Sequence, residues 1–318
     1  SILTWKSRWV NVDFTEFLTN NPVVLDGAMS TPLEKLGADT NNDLWTAKAL
    51  IDNEELVYEV HKMYFEAGAD LIITDTYQAN VQAFEKVGYS EKEARNLIKK
   101  AVKIAQKARD DYENRTGKHN YIAGTIGPYG AYLANGSEYR GDYELSVEEY
   151  QQFHLPRIEE LVNAEVDILA IETQPKLDEV LAILELLKEK YPQQKVYVSY
   201  TLSDDDTISD GTPLPRAIHA LEDYSQVIAV GINCVKLELV EPALKNMKEI
   251  TDKHLIVYPN SSAVYDPKSK TWSQPKTSAT FEELIPNWYE ARARIIGGCC
   301  TTGPKEIKAV ADFIKRNR

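Results

Sequence analysis

The sequence predicts a closed (β/α)8 barrel, and two observations carry that prediction. Eight short, mostly apolar runs recur along the 318-residue chain, and such runs are typical of strands that are buried on both faces of a parallel sheet. Amphipathic helical stretches separate the runs, and eight strand–helix units in about 300 residues favour this barrel over the alternative, a doubly wound open sheet. In chain order the runs are VVLDG (23–27), DLIITDT (70–76), YIAGTIG (121–127), VDILAIET (166–173), KVYVSYT (195–201), VIAVGINC (227–234), LIVYPN (255–260) and RIIGGCC (294–300).

Two of the helical stretches begin with a capping box. Ser90 precedes the long pattern EKEARNLIKKAVKIAQKARDDY, and Glu93 follows three residues later; Ser146 and Glu149 repeat the spacing before EYQQF. In this motif the serine hydroxyl and the glutamate carboxylate satisfy backbone N–H groups of the first turn. We therefore expect helices to begin after Ser90 and after Ser146.

The composition limits the fold and the partners. No Pro-, Ser- or Gly-rich linker divides the chain, so residues 1–318 are expected to form one domain. A net charge of -13 disfavours a nucleic-acid partner. No window approaches the roughly 20 apolar residues of a membrane span, and the segment SILTWKSRWVNVDF lacks the apolar core of a leader. We expect small-molecule ligands, no membrane partner and, because the cysteines are few and unpaired, a cytoplasmic location.

All three cysteines stand at the ends of two predicted strands. Cys234 closes the sixth run, and the adjacent Cys299 and Cys300 close the eighth. Buried structural cysteines are one alternative, whereas a disulfide scaffold is disfavoured because the number is odd and bridging neighbours is strained. In a barrel both groups lie at the same end, where three thiolates could bind zinc and leave a fourth position open for chemistry.

Polar residues close several other runs, so the same end of the barrel is expected to be polar. Asp26 follows the first strand and Glu172 the fourth, and for both we favour a functional role over a structural one. A turn or helix cap is an equal alternative for Thr173 and Asn260. The other polar residues at strand ends are Thr74, Asp75, Thr76 and Asn233.

The segment after Cys300 predicts a final helix. In TTGPKEIKAVADFIKR, Thr301 or Thr302 is expected to cap it, with Pro304 in the first turn and Glu306 just inside. The positive end of that helix would face the thiols and favour their deprotonated form.

Other candidate sites are weaker. The five histidines show no paired metal-ligand spacing and are expected to be packing or surface residues: His61, His119, His154, His219 and His254. The acidic run Asp204, Asp205, Asp206 and Asp210 lacks the spacing of a calcium loop and is expected to be a solvated loop. Neither a GxxxxGK phosphate loop nor a GxSxG nucleophile elbow is present.

The chain resembles the homocysteine S-methyltransferase family. The resemblance rests on LDGAMST near the start, TDTYQAN after the second strand, IGPYGAYLANGSEYRGDY after the third, and GINC and GGCC after the sixth and eighth. It implies a (β/α)8 barrel, one zinc ion per chain and synthesis of methionine from homocysteine. The match spans nearly the whole chain.

The resemblance also implies roles for individual residues. The three cysteines would be the zinc ligands, while Asp26 and Glu172 would hold the ammonium group of homocysteine. Backbone N–H groups near Ala28 and Met29 would receive its carboxylate. A free thiol is only a few per cent ionised at neutral pH, and coordination to a metal stabilises its reactive thiolate.

A sulfonium fits this centre as methyl donor, because it leaves as a neutral thioether and needs no general acid. The third-loop sequence resembles the branch that uses S-methylmethionine, with S-adenosylmethionine as a second donor. Tyr129 and Tyr132, with Tyr139 and Tyr143, could face the sulfonium cation or only form a packed lid. The chain continues for 18 residues after Cys300, which disfavours the extended betaine and cobalamin relatives.

Several alternatives stay open at this stage. The acceptor could be selenocysteine, and the donor could be betaine. A barrel without catalytic activity, in which the cysteines form a thiol redox sensor or a zinc store, is an alternative of a different class. The sequence leaves open whether the protein is a monomer or a dimer.

Overall fold

The computed structural model describes residues 12–42, 44–261, 264–266, 271–273 and 279–318. Residues 1–11, which form most of the segment expected to contain no leader, lie outside that part. Eight parallel strands, one in each predicted apolar run, form the central sheet. They are β1 (Val23–Val24), β2 (Leu71–Ile73), β3 (Tyr121–Ile126), β4 (Ile168–Gln174), β5 (Val196–Tyr200), β6 (Val227–Asn233), β7 (His254–Tyr258) and β8 (Ala293–Ile296).

The sheet closes into a barrel. Its hydrogen-bonded order is β1-β8-β7-β6-β5-β4-β3-β2, and a parallel bridge between Leu25 and Leu71 joins the first strand to the second. All ladder pairs in this sheet are parallel. The predicted (β/α)8 barrel is therefore confirmed, and the open doubly wound sheet is excluded. We call the end at which the strands finish the mouth, and the other end the lower end.

Helices surround the barrel on the outside. The described α-helices are α1 (Phe14–Asn20), α2 (Ser30–Lys35), α3 (Ala49–Asp52), α4 (Glu54–Ala67), α5 (Val81–Lys86), α6 (Glu91–Thr116), α7 (Tyr129–Tyr132), α8 (Val147–Asn163), α9 (Leu177–Lys190), α10 (Leu214–His219), α11 (Leu237–Lys248), α12 (Phe281–Glu290) and α13 (Pro304–Arg316). Short 3-10 helices occur at Trp45–Lys48 and Ser137–Tyr139. Among the helices described, none is long and apolar enough to cross a membrane.

The two predicted capping boxes are present. Ser90 accepts a hydrogen bond from the N–H of Glu93, whose carboxylate accepts one from the N–H of Ser90. Ser146 and Glu149 exchange the same pair of bonds at the start of α8. Local sequence thus fixes where these two helices begin.

The predicted cap of the last helix is wrong. Helix α13 begins at Pro304 with Gly303 as its N-cap, not Thr301 or Thr302. Glu306 accepts a hydrogen bond from the N–H of Gly303 at 3.3 Å, while the Thr302 hydroxyl donates to the carbonyl of Cys299. The threonine is therefore part of the turn that holds the cysteines.

The inside of the barrel changes from apolar at the lower end to polar at the mouth. Helix α1 closes the lower end, where Phe14 and Phe17 pack on the ring of Tyr121 with centroids 5.4 and 5.2 Å apart. Above them the inward side chains are apolar and buried, as shown by Ala170 and Ile295. Residues farther along the same strands are polar, so the barrel offers a polar floor to ligands that enter from the mouth.

The loops contain two small antiparallel hairpins. One pairs Leu202–Asp204 with Thr207–Ile208, and the other pairs Val264–Asp266 with Thr271–Ser273. The acidic residues Asp204 to Asp206 are exposed at the turn of the first hairpin, as predicted. Asp210 differs from the prediction, since it is half-buried and accepts hydrogen bonds from the N–H groups of Leu177 and Thr212.

Candidate active site

A cavity of about 560 Å³ opens at the mouth of the barrel. Its wall contains the strand-end residues predicted to be functional, together with parts of the first and third loops. No lysine, arginine or histidine of the described part of the chain lines it. Five carboxylates do, and they are Asp26, Glu34, Asp75, Glu138 and Glu172. The cavity is therefore built to receive cationic groups.

The three cysteines meet in this cavity. The Cys234 and Cys300 sulfurs lie 3.3 Å apart, and all three sulfurs, with that of Cys299, lie within 4.8 Å of one another. Among the described residues no histidine or carboxylate shares this cluster, and three converging thiols form a donor set that suits a soft cation such as zinc. The residues present fit the metal that the sequence predicts.

Backbone contacts between strand ends bring the thiols together. The N–H of Cys234 donates to the carbonyl of Tyr258 at 3.1 Å, and the N–H of Cys299 donates to that of Pro259 at 2.8 Å. Cys234 adopts a left-handed backbone, with φ of 55°, which turns its side chain away from the strand direction. A Cβ at Gly297 would lie 2.7 Å from the carbonyl oxygen of Asp26, so the glycine permits the close approach of β8 to β1.

The three thiols share their protons unequally. Hydrogen bonds from Cys299 and Cys300 hold the pKa of Cys234 well below its usual range, and the hydroxyl of Tyr139, 3.1 Å from its sulfur, adds to this effect. The same bonds to Cys234 raise the pKa of Cys299 and Cys300. Of the three thiols, Cys234 is therefore the one that ionises most readily.

Asp26 and Glu172 face the cavity from β1 and β4. Asp26 accepts a hydrogen bond from the N–H of Ile73 at 3.0 Å, while Glu172 accepts from the hydroxyls of Tyr258, at 2.7 Å, and Thr125. Burial raises the pKa of Asp26, and the charge of Glu172 raises it further. Burial likewise raises the pKa of Glu172 to about 7. Neither carboxylate forms an ion pair with a described residue, and the charge of Glu172 disfavours ionisation of Asp26, which favours binding of a cation between them.

Asn233 links the predicted residues to one another. Its side chain is fully buried and accepts hydrogen bonds from the N–H of Thr173 and the hydroxyl of Ser199, at 2.8 and 2.6 Å. Its amide donates to the Thr173 hydroxyl at 2.8 Å and points to the Cys299 sulfur at 3.8 Å. The position was predicted as polar, but its role as a connector between three strands appears only in the structure.

The backbone near Ala28 lies at the edge of the cavity. The N–H of Ala28 donates to the hydroxyl of Thr302 at 3.2 Å, and its carbonyl accepts from the hydroxyl of Tyr64. Met29 also lines the cavity and precedes α2. The predicted carboxylate-binding role of these two N–H groups stays a prediction.

The predicted donor-binding tyrosines lie apart from the cavity lining. Tyr129 and Tyr132 pack on Phe153, with ring centroids 5.1 and 5.4 Å away, and Tyr143 packs on Tyr129 at 5.5 Å. The aromatic residues of the described chain that line the cavity are Trp45, Tyr77, Tyr139 and Tyr258. Of the four third-loop tyrosines, only Tyr139 therefore reaches the site.

A buried polar network holds the third loop, which follows β3 and carries Tyr129 and Tyr143, against helices α8 and α9. Glu179 is fully buried on α9 and accepts hydrogen bonds from the N–H of Tyr129, the hydroxyl of Tyr143 and the imidazole of His154, at 2.7, 2.5 and 2.7 Å. Arg157, also buried, donates to backbone carbonyls after β2 and β3. His154 is thus a packing residue, as predicted, with a defined partner.

Besides the exposed Glu34, two carboxylates of the cavity were not singled out as site residues by the sequence. Asp75 is buried and Glu138 half-buried, and each has one carboxylate oxygen without a hydrogen-bond partner among the described residues. Burial raises the pKa of each to about 7. Asp75 was predicted only as a polar strand-end residue, and no periodic pattern marks Glu138 as inward-facing.

A (β/α)8 barrel with three thiols and four buried or half-buried carboxylates at its mouth has the architecture of a barrel enzyme whose active site lies at the strand ends. A family model described as homocysteine S-methyltransferase matches residues 23–314. The chain belongs to the homocysteine S-methyltransferase family and is a methyltransferase.

Individual relatives agree with this assignment. The homocysteine S-methyltransferase of Escherichia coli K12 is 47% identical over 291 residues, which cover 91% of this chain and 94% of that protein. Homocysteine S-methyltransferase YbgG of Bacillus subtilis is 45% identical over 92% of this chain and 94% of its own length. The metallated form of the Escherichia coli homocysteine methyltransferase MmuM superposes with a TM-score of 0.85 at 43% identity, covering 93% of this chain and 98% of that one.

Proposed function

We propose that this protein transfers a methyl group from a sulfonium donor, S-methylmethionine or S-adenosylmethionine, to the sulfur of L-homocysteine, with zinc as its cofactor. The observation that carries the proposal is the union of three thiols and several carboxylates in one cavity whose described lining lacks a basic side chain. We further propose that residues 1–318 act as one homocysteine-binding domain. Because its thiols must stay reduced, the cytoplasm is the proposed location.

Cys234, Cys299 and Cys300 would hold the zinc ion. When bound, zinc supplies a positive charge that keeps a coordinated thiol ionised at neutral pH and leaves one position for the substrate sulfur. The geometry that supports this assignment is the convergence of the three sulfurs within 4.8 Å. The metallated form in which the relative MmuM was solved is consistent with it.

Asp26 and Glu172 would bind the ammonium group of homocysteine. Both carboxylates are buried, at 4% and 6% exposure, and a cation between them would relieve their repulsion and lower the pKa of each. The hydroxyls of Thr125 and Tyr258 hold the Glu172 carboxylate in position. The backbone N–H groups near Ala28 and Met29 would receive the carboxylate, for which Ala28 has to exchange its bond to Thr302.

A cationic donor fits the charge of the cavity. A sulfonium carries its positive charge into an acidic site and leaves as a neutral thioether, so the attraction is lost once the methyl group has moved and the product is free to leave. An anionic donor would meet the same carboxylates with repulsion. The role predicted for Tyr129 and Tyr132 would have to be indirect, through support of the loop that carries Tyr139.

The experiment is a zinc determination on freshly reduced protein, followed in the same sample by methionine formation from homocysteine with S-methylmethionine, S-adenosylmethionine or betaine. We expect about one zinc ion per chain, since three thiolates form one site, and turnover with a sulfonium. Turnover with betaine alone would overturn the proposed donor. Zinc without turnover on any donor would indicate a different acceptor or a zinc store, and reversible disulfide formation without zinc would favour a redox sensor.

A further inference from the structure

Glu138 has a carboxylate that the proposed reaction does not use. It lies in the 3-10 turn Ser137–Tyr139, and its neighbour Tyr139 contacts the Cys234 sulfur at 3.1 Å. One part of the carboxylate accepts a hydrogen bond from the residue's own backbone N–H. The oxygen Oε2 is buried and has no partner among the described residues. A buried acceptor without a donor is unfavourable, which indicates that a ligand supplies the donor.

The loop around Glu138 is held in place by contacts from several elements. The hydroxyl of Thr201, at the end of β5, donates to the carbonyl of Glu138 at 2.9 Å. The N–H and hydroxyl of Ser137 donate to the side chain of Asn135, at 3.1 and 2.5 Å. A Cβ at Gly130 would lie 2.8 Å from the backbone nitrogen of Glu138, so this glycine permits the loop to pack closely. The backbone of Glu138 is therefore fixed at a position where the residue lines the cavity.

The charges of the two substrates leave one cation without a partner. Homocysteine brings an ammonium group, for which Asp26 and Glu172 are available. A sulfonium amino acid brings a sulfonium and a second ammonium group. A sulfonium carries no N–H or O–H and cannot donate a hydrogen bond, whereas an ammonium group donates up to three. An acceptor such as Oε2 of Glu138 is therefore suited to the ammonium group.

We propose that Glu138 binds the α-ammonium group of the methyl donor and thereby selects sulfonium amino acids over sulfonium compounds that lack an amino group. The inference rests on the proposed function. It makes Glu138 a specificity-determining residue that touches the donor at a distance from the transferred methyl group.

Asp75 is the rival for this role, because its Oδ2 is also buried without a partner. Its carboxylate bonds to the side chain of Thr46 and follows β2. Tyr139, the residue after Glu138, contacts the Cys234 sulfur at 3.1 Å. Of the two rival carboxylates, Glu138 is therefore the one whose segment reaches the thiols, where the donor has to deliver its methyl group.

The test compares two donors in the wild type and in Glu138→Gln. The donors are S-methyl-L-methionine and its desamino analogue, dimethylsulfoniobutanoate. In E138Q we expect kcat/KM to fall about 10- to 100-fold for S-methylmethionine and less than about threefold for the analogue, as the loss of one charged hydrogen bond requires. The zinc content and the homocysteine KM should stay unchanged. Glu138→Asp should recover part of the preference for the amino acid.

Control variants separate this inference from its alternatives. Asp142→Asn removes an exposed charge from the same loop and should change neither donor's kcat/KM by more than about twofold. Loss of the preference in Asp75→Asn but not in E138Q would assign the ammonium group to Asp75 and overturn the proposal. An equal loss for both donors in E138Q would also overturn it. If the wild type accepts S-methylmethionine and E138Q keeps the full preference for the amino acid, the role of Glu138 is overturned and the proposed function stands. If the wild type is inactive with every sulfonium, both are overturned.

Discussion

The two ends of the barrel differ in whether their buried carboxylates have basic partners within the protein. At the lower end, the carboxylate of Asp70 is 1% exposed and accepts hydrogen bonds from Lys118, from Arg318 and from the N–H of Val24, at 2.8, 2.6 and 2.9 Å. At the mouth, four buried or half-buried carboxylates line one cavity, and no basic side chain of the described chain lines it with them. The same chemical group is neutralised at one end and left exposed to a ligand at the other.

This difference separates residues that stabilise the fold from residues that bind ligands. A buried carboxylate with hydrogen-bonded cations is compensated within the protein, and removing it leaves those cations unpaired. A buried carboxylate without a cation lowers stability until a ligand arrives, and removing it affects binding first. Single substitutions at each end test whether the two groups of carboxylates have these separate roles.

The largest effect is expected at the thiols. Cys234→Ser should abolish tight zinc binding and reduce kcat/KM by roughly a thousandfold or more, about 4 kcal/mol, because three ligands define the site. The barrel should still fold, because Cys234 is a single small residue in a large core. Zinc content, turnover and thermal unfolding are the measurements, and full turnover in this variant would contradict the assignment.

The next effect is expected at the lower end. Asp70→Asn leaves Lys118 and Arg318 facing a neutral amide, so the free energy of unfolding should fall by about 2–3 kcal/mol, less than for a fully enclosed pair because both cations are partly exposed. Denaturant titration measures the loss. The homocysteine KM of the folded fraction should stay at its wild-type value. A changed KM would show that Asp70 at the lower end also affects substrate binding at the mouth.

A smaller effect is expected for binding at the mouth. Glu172→Gln should raise the homocysteine KM about 10- to 100-fold, because a charged hydrogen bond to the ammonium group becomes a neutral one. The value of kcat at saturating homocysteine should change less. Steady-state kinetics with varied homocysteine tests this prediction, and an unchanged KM would remove Glu172 from the substrate site.

The smallest effect is a dependence of stability on pH at Asp75. Burial raises the pKa of its carboxyl group from 3.8 to about 7 in the folded protein, so the folded state holds a proton that the unfolded state has released. Stability from this group is present below about pH 4 and is lost as the pH rises through 7. Relative to Asp75→Asn, the ligand-free wild type should lose about 1–2 kcal/mol between about pH 5.5 and 7.5. Urea titration at both pH values measures it, and parallel curves would show that Asp75 is already ionised.

The strands and the thiol cluster could be predicted because they follow from periodicity and from one rule of the fold. Buried parallel strands produce apolar runs, and all such strands end at one face, so residues at the ends of β6 and β8 had to meet. The same rule would have found Thr125, which follows the inward-facing Ala123 on β3 and donates to Glu172.

Other parts of the structure depend on contacts that no local pattern encodes. The position of Glu138 depends on two contacts of its backbone. Gly130 lies against it from the other side of an irregular turn, and Thr201, which is remote in sequence, donates a hydrogen bond to its carbonyl. Helix α1 has a local start signal, since Asp13 accepts a hydrogen bond from the N–H of Glu16, but its position at the lower end depends on its contact with the ring of Tyr121. The cap of α13 was mispredicted because the hydroxyl of Thr302 is bonded to the carbonyl of Cys299.

The closed lower end also bears on the order in which substrates bind. Phe14 and Phe17 pack against Tyr121 at that end, whereas the cavity described above opens at the mouth. Asp26 and Glu172 stand at strand ends, and Glu138 belongs to the third loop. With homocysteine at the strand ends and the donor at the loop, as proposed, we expect homocysteine to bind before the donor and its methylated product to leave after the spent donor.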